Sequence, residues 1–342
     1  MMKNKRFIII SALVVGAILA LSTKNDTQSD GNKKLLTRID VIPLNGPAGK
    51  LGHMVVSKKH NLLFMGNKVN ASLDIVDIKN NTLMQQHKEQ EGCSGIDYDP
   101  ENEYLMISSG KNGCYNLFKY NNGKYDLLKK IKMGGCSKIE YNYYDKNFYM
   151  QKKIDGQNFI TVFDPVTLEN THDISLPAGH YSAIVASSVA PRLYLNGKNM
   201  VLVVDTEKKE VVDTLPVTLS NVNKPIILDE EQNRIFVGCR KPPKVVVFDS
   251  KTGDEITSVD IKGDLDDFSF DPKRKRIYAS CGEGFISVVQ QIDPDNYELI
   301  DTIPTQERAR TGVYSPGLDL YFVGIERADS MKAPEIWVYK PE

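Results

Sequence analysis

From residue 35 onward the chain is built of short apolar runs broken by polar turns. Val245-Val246-Val247-Phe248 and Ile277-Tyr278-Ala279 are typical: β-branched and aromatic, and bounded by Gly, Pro, Asn or Asp. No stretch beyond the N-terminal segment keeps a helical apolar period over three turns. The pattern predicts an all-β protein.

The runs recur in a fixed order. A short apolar segment leads to Asp-Pro or a relative and a polar turn. A strand ending in small residues follows, then a second turn, a strand ending in Asp, and a short polar outer strand. Residues 268–289, opening Phe268-Ser269-Phe270-Asp271-Pro272, are the clearest copy. Taking the turn-opening residue as marker gives Ser57, Asp99, Asn142, Ser187, Asp229, Asp271 and Ser315, spaced by 42, 43, 45, 42, 42 and 44 residues. Regular spacing of this length with β-type runs predicts a seven-bladed β-propeller with four-stranded blades. The last copy supplies strands near 310–314, 320–325 and 335–339 and lacks an outer one. The orphan strand at residues 36–43 is expected to complete it and to cover its open edge.

Phrases such as Leu63-Phe64-Met65-Gly66 with Leu73-Asp74-Ile75-Val76-Asp77, and Ile235-Phe236-Val237-Gly238 with Val245-Val246-Val247-Phe248-Asp249, resemble the YVTN-type repeat of YncE-like propellers. The resemblance spans about residues 36–339. It implies a propeller fold and an extracytoplasmic location, and no single reaction. Among related propellers are lactonases, a lyase acting on cyclic antibiotics, and haem- or quinone-linked oxidoreductases. The Cys-x-x-Cys-His motif of covalent haem attachment does not occur in this sequence, and no cofactor is indicated.

The N-terminus reads as a targeting segment. Lys3, Lys5 and Arg6 precede an uncharged apolar stretch from Phe7 to Leu21, and Ala20-Leu21-Ser22 offers small residues to a peptidase. Residues 1–22 are expected to be a signal peptide, 23–34 a polar linker and 35–342 the propeller. The protein is then periplasmic or secreted, and membrane-anchored only if the segment is retained.

Charge narrows the partners. Lys plus Arg number 43 and Asp plus Glu 44, giving a net charge of −1 and no field for a nucleic-acid backbone. The run Lys273-Arg274-Lys275-Arg276 reads as a solvated turn. A small molecule or an extracytoplasmic protein or peptide is the expected partner, bound by a monomer.

In a propeller the lead-in to each inner strand opens on one mouth of the central funnel. Five residues before the markers stand Gly52, Ser94, Ser137, Ser182, Lys224, Asp266 and Arg310. Four before stand His53, Gly95, Lys138, Ala183, Pro225, Asp267 and Thr311. This makes His53, Lys224, Asp266, Asp267 and Arg310 candidate ligand-binding residues, though strand alternation should turn neighbours to opposite sides. His53 as base and Arg310 as stabiliser of an oxyanion or enolate would suit a lactonase- or lyase-like enzyme. A nucleophile elbow of the Gly-x-Ser-x-Gly type is absent, so a binding module is the first expectation.

The five cysteines, Cys93, Cys114, Cys136, Cys239 and Cys281, allow three readings. They could be small core residues, a disulfide such as Cys93–Cys136, or a soft-metal site in which Cys93 or Cys136 joins His53 or His180 in a metal-handling propeller. His60, His87 and His172 are expected in solvated turns or outer strands.

Overall fold

The computed structural model describes residues 34–327 and 332–342. Residues 1–33, which carry the expected signal peptide and most of the expected linker, lie outside them. Residues 35–342 form seven four-stranded antiparallel sheets, each running from an inner strand outward. The inner strands of blades 1 to 7 are Met54–Ser57, Ile96–Asp99, Gly135–Asn142, Ala183–Ala186, Asn223–Asp229, Leu265–Asp271 and Thr311–Ser315.

The marker residues end these strands, except Ser187, which follows one residue later. In five of the blades, those of Asp99, Asn142, Ser187, Asp229 and Asp271, the marker side chain accepts from a backbone N–H of the next turn. Asp99 Oδ1 accepts the N–H groups of Glu101 and Asn102, and Asp271 Oδ1 those of Lys273 and Arg274. Ser187 Oγ accepts from Val189 and Ala190. Four residues after the marker the backbone turns left-handed at Asn61, Glu103, Lys146, Asn233, Lys275 and Asp319. Blade 4 has Pro191 there, whose ring fixes a negative φ.

The ring closes as the sequence predicts. Leu36–Pro43 pairs antiparallel with Glu335–Pro341, completing blade 7. A register shift between Arg38 and Asp40 leaves Ile39 unpaired and 54% exposed, while Leu36 and Ile42 are buried. The core lies between blades. Phe64 and Ile75 of blade 1 pack on Tyr98, Leu105 and Ile107 of blade 2. Ile42 and Leu44 pack with Leu63 of blade 1 and Phe322 and Ile336 of blade 7.

Two sequence expectations need correction. The basic turn is not a merely solvated one. Arg274 bridges Asp271 and Asp319 and donates to Pro341 O, tying blade 6 to the closing blade. His60 is likewise engaged, 2.6 Å from Glu103 Oε1 and stacked on Tyr120 at 3.9 Å.

Candidate site at the funnel mouth

Three inner strands break their pairing where they enter the mouth. In blade 3 the register shifts between Cys136 and Ile139, leaving Ser137 and Lys138 unpaired. In blade 5 it shifts between Asn223 and Ile226, around Lys224, and in blade 6 between Leu265 and Asp267, at Asp266. Bulges re-aim side chains. Asp266 and Asp267 therefore both line the funnel, contrary to the simple alternation expected from sequence. Glycine allows the close approach beside Lys138: a Cβ on Gly95 would stand 2.3 Å from Ser137 O.

A relay crosses the funnel. Asp267 Oδ1 lies 2.7 Å from His53 Nδ1, and Lys138 Nζ lies 3.0 Å from His53 Nε2. Lys138 also donates to Ser94 O at 3.2 Å. These side chains come from blades 6, 1 and 3, so they meet across the axis rather than along the rim. The hydrogen-bond network assigns the Nδ1 proton to the carboxylate side and makes Nε2 the atom that shares a proton with lysine.

Above the relay is a cavity of about 310 Å³ lined by Lys50, His53, Lys68, Lys138, His180, Lys224 and Asp266, with three serines and Tyr181. Below it a channel of about 260 Å³ continues past Glu140 and Phe268. Part of Lys138 faces this space, yet protein encloses it closely. Burial, then the charge of Lys68, lowers its ammonium to about 8, against Asp267 and Asp266, which work upward. Lys68 is lowered by burial and by Lys50, and Lys224 by burial and by Arg240. Among the described residues no carboxylate lies within ion-pair distance of Lys50, Lys68, Lys138 or Lys224.

The acidic groups of the mouth are already engaged. Asp266 Oδ1 accepts from Arg240 Nη2 at 2.8 Å, and its Oδ2 lies 3.5 Å from Arg310 Nε. Burial works to raise its carboxyl, but His53, Arg240 and Arg310 together hold it below the ordinary value. Arg310 Nη1 also donates to Asp264 Oδ2 at 2.9 Å, and its Nε lies 3.9 Å from the buried Glu326. Arg310 thus braces the rim beside the relay and does not line the mouth cavity.

The structure therefore gathers His53, Lys224 and Asp266 at the cavity, places Asp267 in the channel against His53, and sets Arg310 behind Asp266. Lys50, Lys68 and Lys138 complete the set. Lys138 stands at the same offset as His53 and Asp267, which is the signal that could have singled it out. Lys50 and Lys68 lie outside the aligned offsets and had no such signal.

The cysteine expectations for chemistry are not realised. All five are buried and free, so the Cys93–Cys136 disulfide is not formed. Cys93 packs with Phe64 and Ile96, and Cys136 with Tyr115 and Ile139, in separate apolar clusters. Burial raises their thiols to about 11 and about 12, unlike a ligating thiolate. His180 faces the cavity with the lysines, and among the described residues no three His, Cys, Asp or Glu side chains form a metal-sized group.

No protein-family model matches the sequence, and no curated protein is similar to it. Solved structures resemble the fold. One titled hydrazine synthase, from Kuenenia stuttgartiensis, superposes with TM-score 0.72 at 16% identity over 82% of this chain and 94% of that one. A chain of a mitotic checkpoint complex superposes with TM-score 0.72 at 14% identity over 98% of each. Identities this low establish a shared propeller architecture, and the choice of a ligand rests on the mouth itself.

Proposed function

We propose that this propeller is an extracytoplasmic ligand-binding module whose funnel mouth takes a small organic anion. The observation that carries the reading is the convergence of Lys50, Lys68, Lys138 and Lys224 on one cavity while the nearby carboxylates of Asp266 and Asp267 are held by Arg240, Arg310 and His53. Burial, and then the charge of neighbouring cations, lowers Lys68, Lys138 and Lys224, and an anion bound among them offsets that repulsion. The size of the cavity suits a ligand of a few to about a dozen heavy atoms. Export agrees with the N-terminal charge and apolar pattern.

Thermal unfolding of the full chain with oxalate, phosphate or citrate tests the reading against a cation series such as spermidine. A ligand present at about a hundredfold its Kd stabilises by roughly 2.7 kcal/mol, a shift of several degrees for a domain of this size. Upward shifts with carboxylates, absent with spermidine and diminished in Lys224→Ala, are expected. No anion-specific shift would remove the basis of the proposal.

A further inference from the structure

We propose that Lys138 forms an imine with the ligand, so that the anions this mouth takes are small carboxylates carrying a carbonyl group, the 2-oxo acids among them. This rests on the anion-binding reading above and gives it a substrate class. Three features of geometry carry it. The Lys138 amine stands where the mouth cavity meets the channel, and lines both. It is 3.0 Å from an imidazole nitrogen whose ring is oriented by a carboxylate 2.7 Å from the other nitrogen. Lysines that carry no carboxylate partner among the described residues, Lys50, Lys68 and Lys224, line the same cavity and can hold the carboxylate end of a ligand.

A nucleophile in hydrogen-bond reach of a base, with the base oriented by a third group, is the arrangement that activates an amine. Closeness to other cations and burial works in the same direction on Lys138. With its ammonium at about 8 instead of 10.5, the neutral amine at pH 7 is roughly three-hundredfold more abundant than on an ordinary lysine.

The step balances without a redox partner. His53 Nε2 takes one proton from the Lys138 ammonium. The freed nitrogen pair attacks the carbonyl carbon, forming the C–N bond while the C=O π pair moves to oxygen. A proton passes from nitrogen to that oxygen, and His53 returns its proton to the same hydroxyl. Water leaves as the C–O bond breaks, and the nitrogen pair closes the protonated imine. One ammonium and one carbonyl give one iminium and one water. Asp267 keeps its contact with Nδ1 and holds the ring. The carboxylate end of the ligand pairs with Lys224 or Lys68.

The experiment is borohydride trapping on the full chain with glyoxylate as probe, followed by peptide mapping. The expected result is a reduced adduct on Lys138 that saturates with glyoxylate, forms at least tenfold faster than on the surface lysines, and is suppressed by oxalate, which has the charge without a reactive carbonyl. Lys138→Arg should lose that adduct. His53→Gln should slow it, and Lys224→Ala should raise the half-saturating glyoxylate concentration. Adducts spread evenly over surface lysines, or a Lys138 adduct indifferent to oxalate, would overturn the proposal. Should Lys138→Arg fail to fold, the oxalate protection of the wild-type chain decides alone. Saturable oxalate binding without a Lys138 adduct would refute the imine and leave the anion site standing. Absence of both would refute both.

Discussion

Asp97 and Glu140 project from neighbouring inner strands, and each accepts a backbone N–H of the next blade, Tyr141 N at 2.6 Å and Ala186 N at 2.9 Å. The bonds stitch blade 2 to 3 and blade 3 to 4, but the carboxyls are paid little solvation. Burial raises Asp97 to about 7, and burial plus the charge of Asp97 raises Glu140 well above the ordinary range. A carboxyl raised in the folded state binds its proton more tightly there than in the unfolded chain. Its effect is therefore to lower stability as pH climbs from about 4, where the unfolded group titrates, through the folded value. Glu140→Gln keeps an acceptor for Ala186 and removes the charge. It should raise the unfolding free energy from urea denaturation at pH 8 by on the order of 1 kcal/mol or more, and make little difference at pH 3, below the value at which the unfolded group titrates. A gain of equal size at both pH values would show that the buried charge is not the cause. Arg310 gives a second prediction at this scale. It lies between Asp264, Asp266 and the buried Glu326, whose other oxygen lies 3.3 Å from Arg308 Nε. Arg310→Ala removes one cation from each of these carboxylates, leaving Asp264 and Asp266 to Arg240 and Glu326 to Arg308, and should cost about 1–3 kcal/mol in urea unfolding. His53→Ala, at a side chain open to the cavity, should cost less. The reverse order would make Arg310 a ligand group and not a brace.

The closing strand sets the stability of the ring, and the structure separates the side chains that matter. Ile42 and Leu44 are buried at the seam of blades 1 and 7 and Leu36 at that of blades 6 and 7, whereas Val41 is over a third exposed and Ile39, unpaired at the register shift, is more exposed still. Reading the strand by alternation alone would have placed Ile39 and Val41 with the core. Ile42→Ala is expected to destabilise by about 2–4 kcal/mol, and Ile39→Ala to stay within about 0.5 kcal/mol, measured by urea denaturation of the same preparation. Equal effects would mean that the strand is held by its backbone ladder and not by the seam. The bulges of blades 3, 5 and 6 are the other decisive elements, since they bring Lys138, Lys224 and Asp266 to the mouth.

At the scale of the molecule, the sevenfold fold is legible because most marker residues share one physical task. Asp99, Asn142, Ser187, Asp229 and Asp271 hold a turn through their own side chains, and a task repeated in five of seven blades leaves a period in the sequence. The closing strand is legible for a related reason, as an apolar run without a blade of its own. The site is legible only in part. His53 and Asp267 stand at one offset and meet, but so does Lys138, whose importance comes from its neighbours across the axis and from no motif of its own. Arg310 matches the offset pattern and is nevertheless taken up by Asp264 and Asp266, because residues outside the aligned offsets, Asp264 and Arg240, decide what the rim charges pair with. Lys50 and Lys68 approach the cavity from segments where the repeat carries no information. The account as a whole stands on the claim that these lysines make the mouth an anion site. Isothermal titration of oxalate into the full chain, beside a Lys68→Ala/Lys224→Ala double variant, measures it most directly. The prediction is one saturable site per chain whose affinity falls with added salt and drops at least tenfold, about 1.4 kcal/mol, in the double variant. An affinity unchanged by loss of both lysines, or no saturable heat in the wild-type chain, would contradict it.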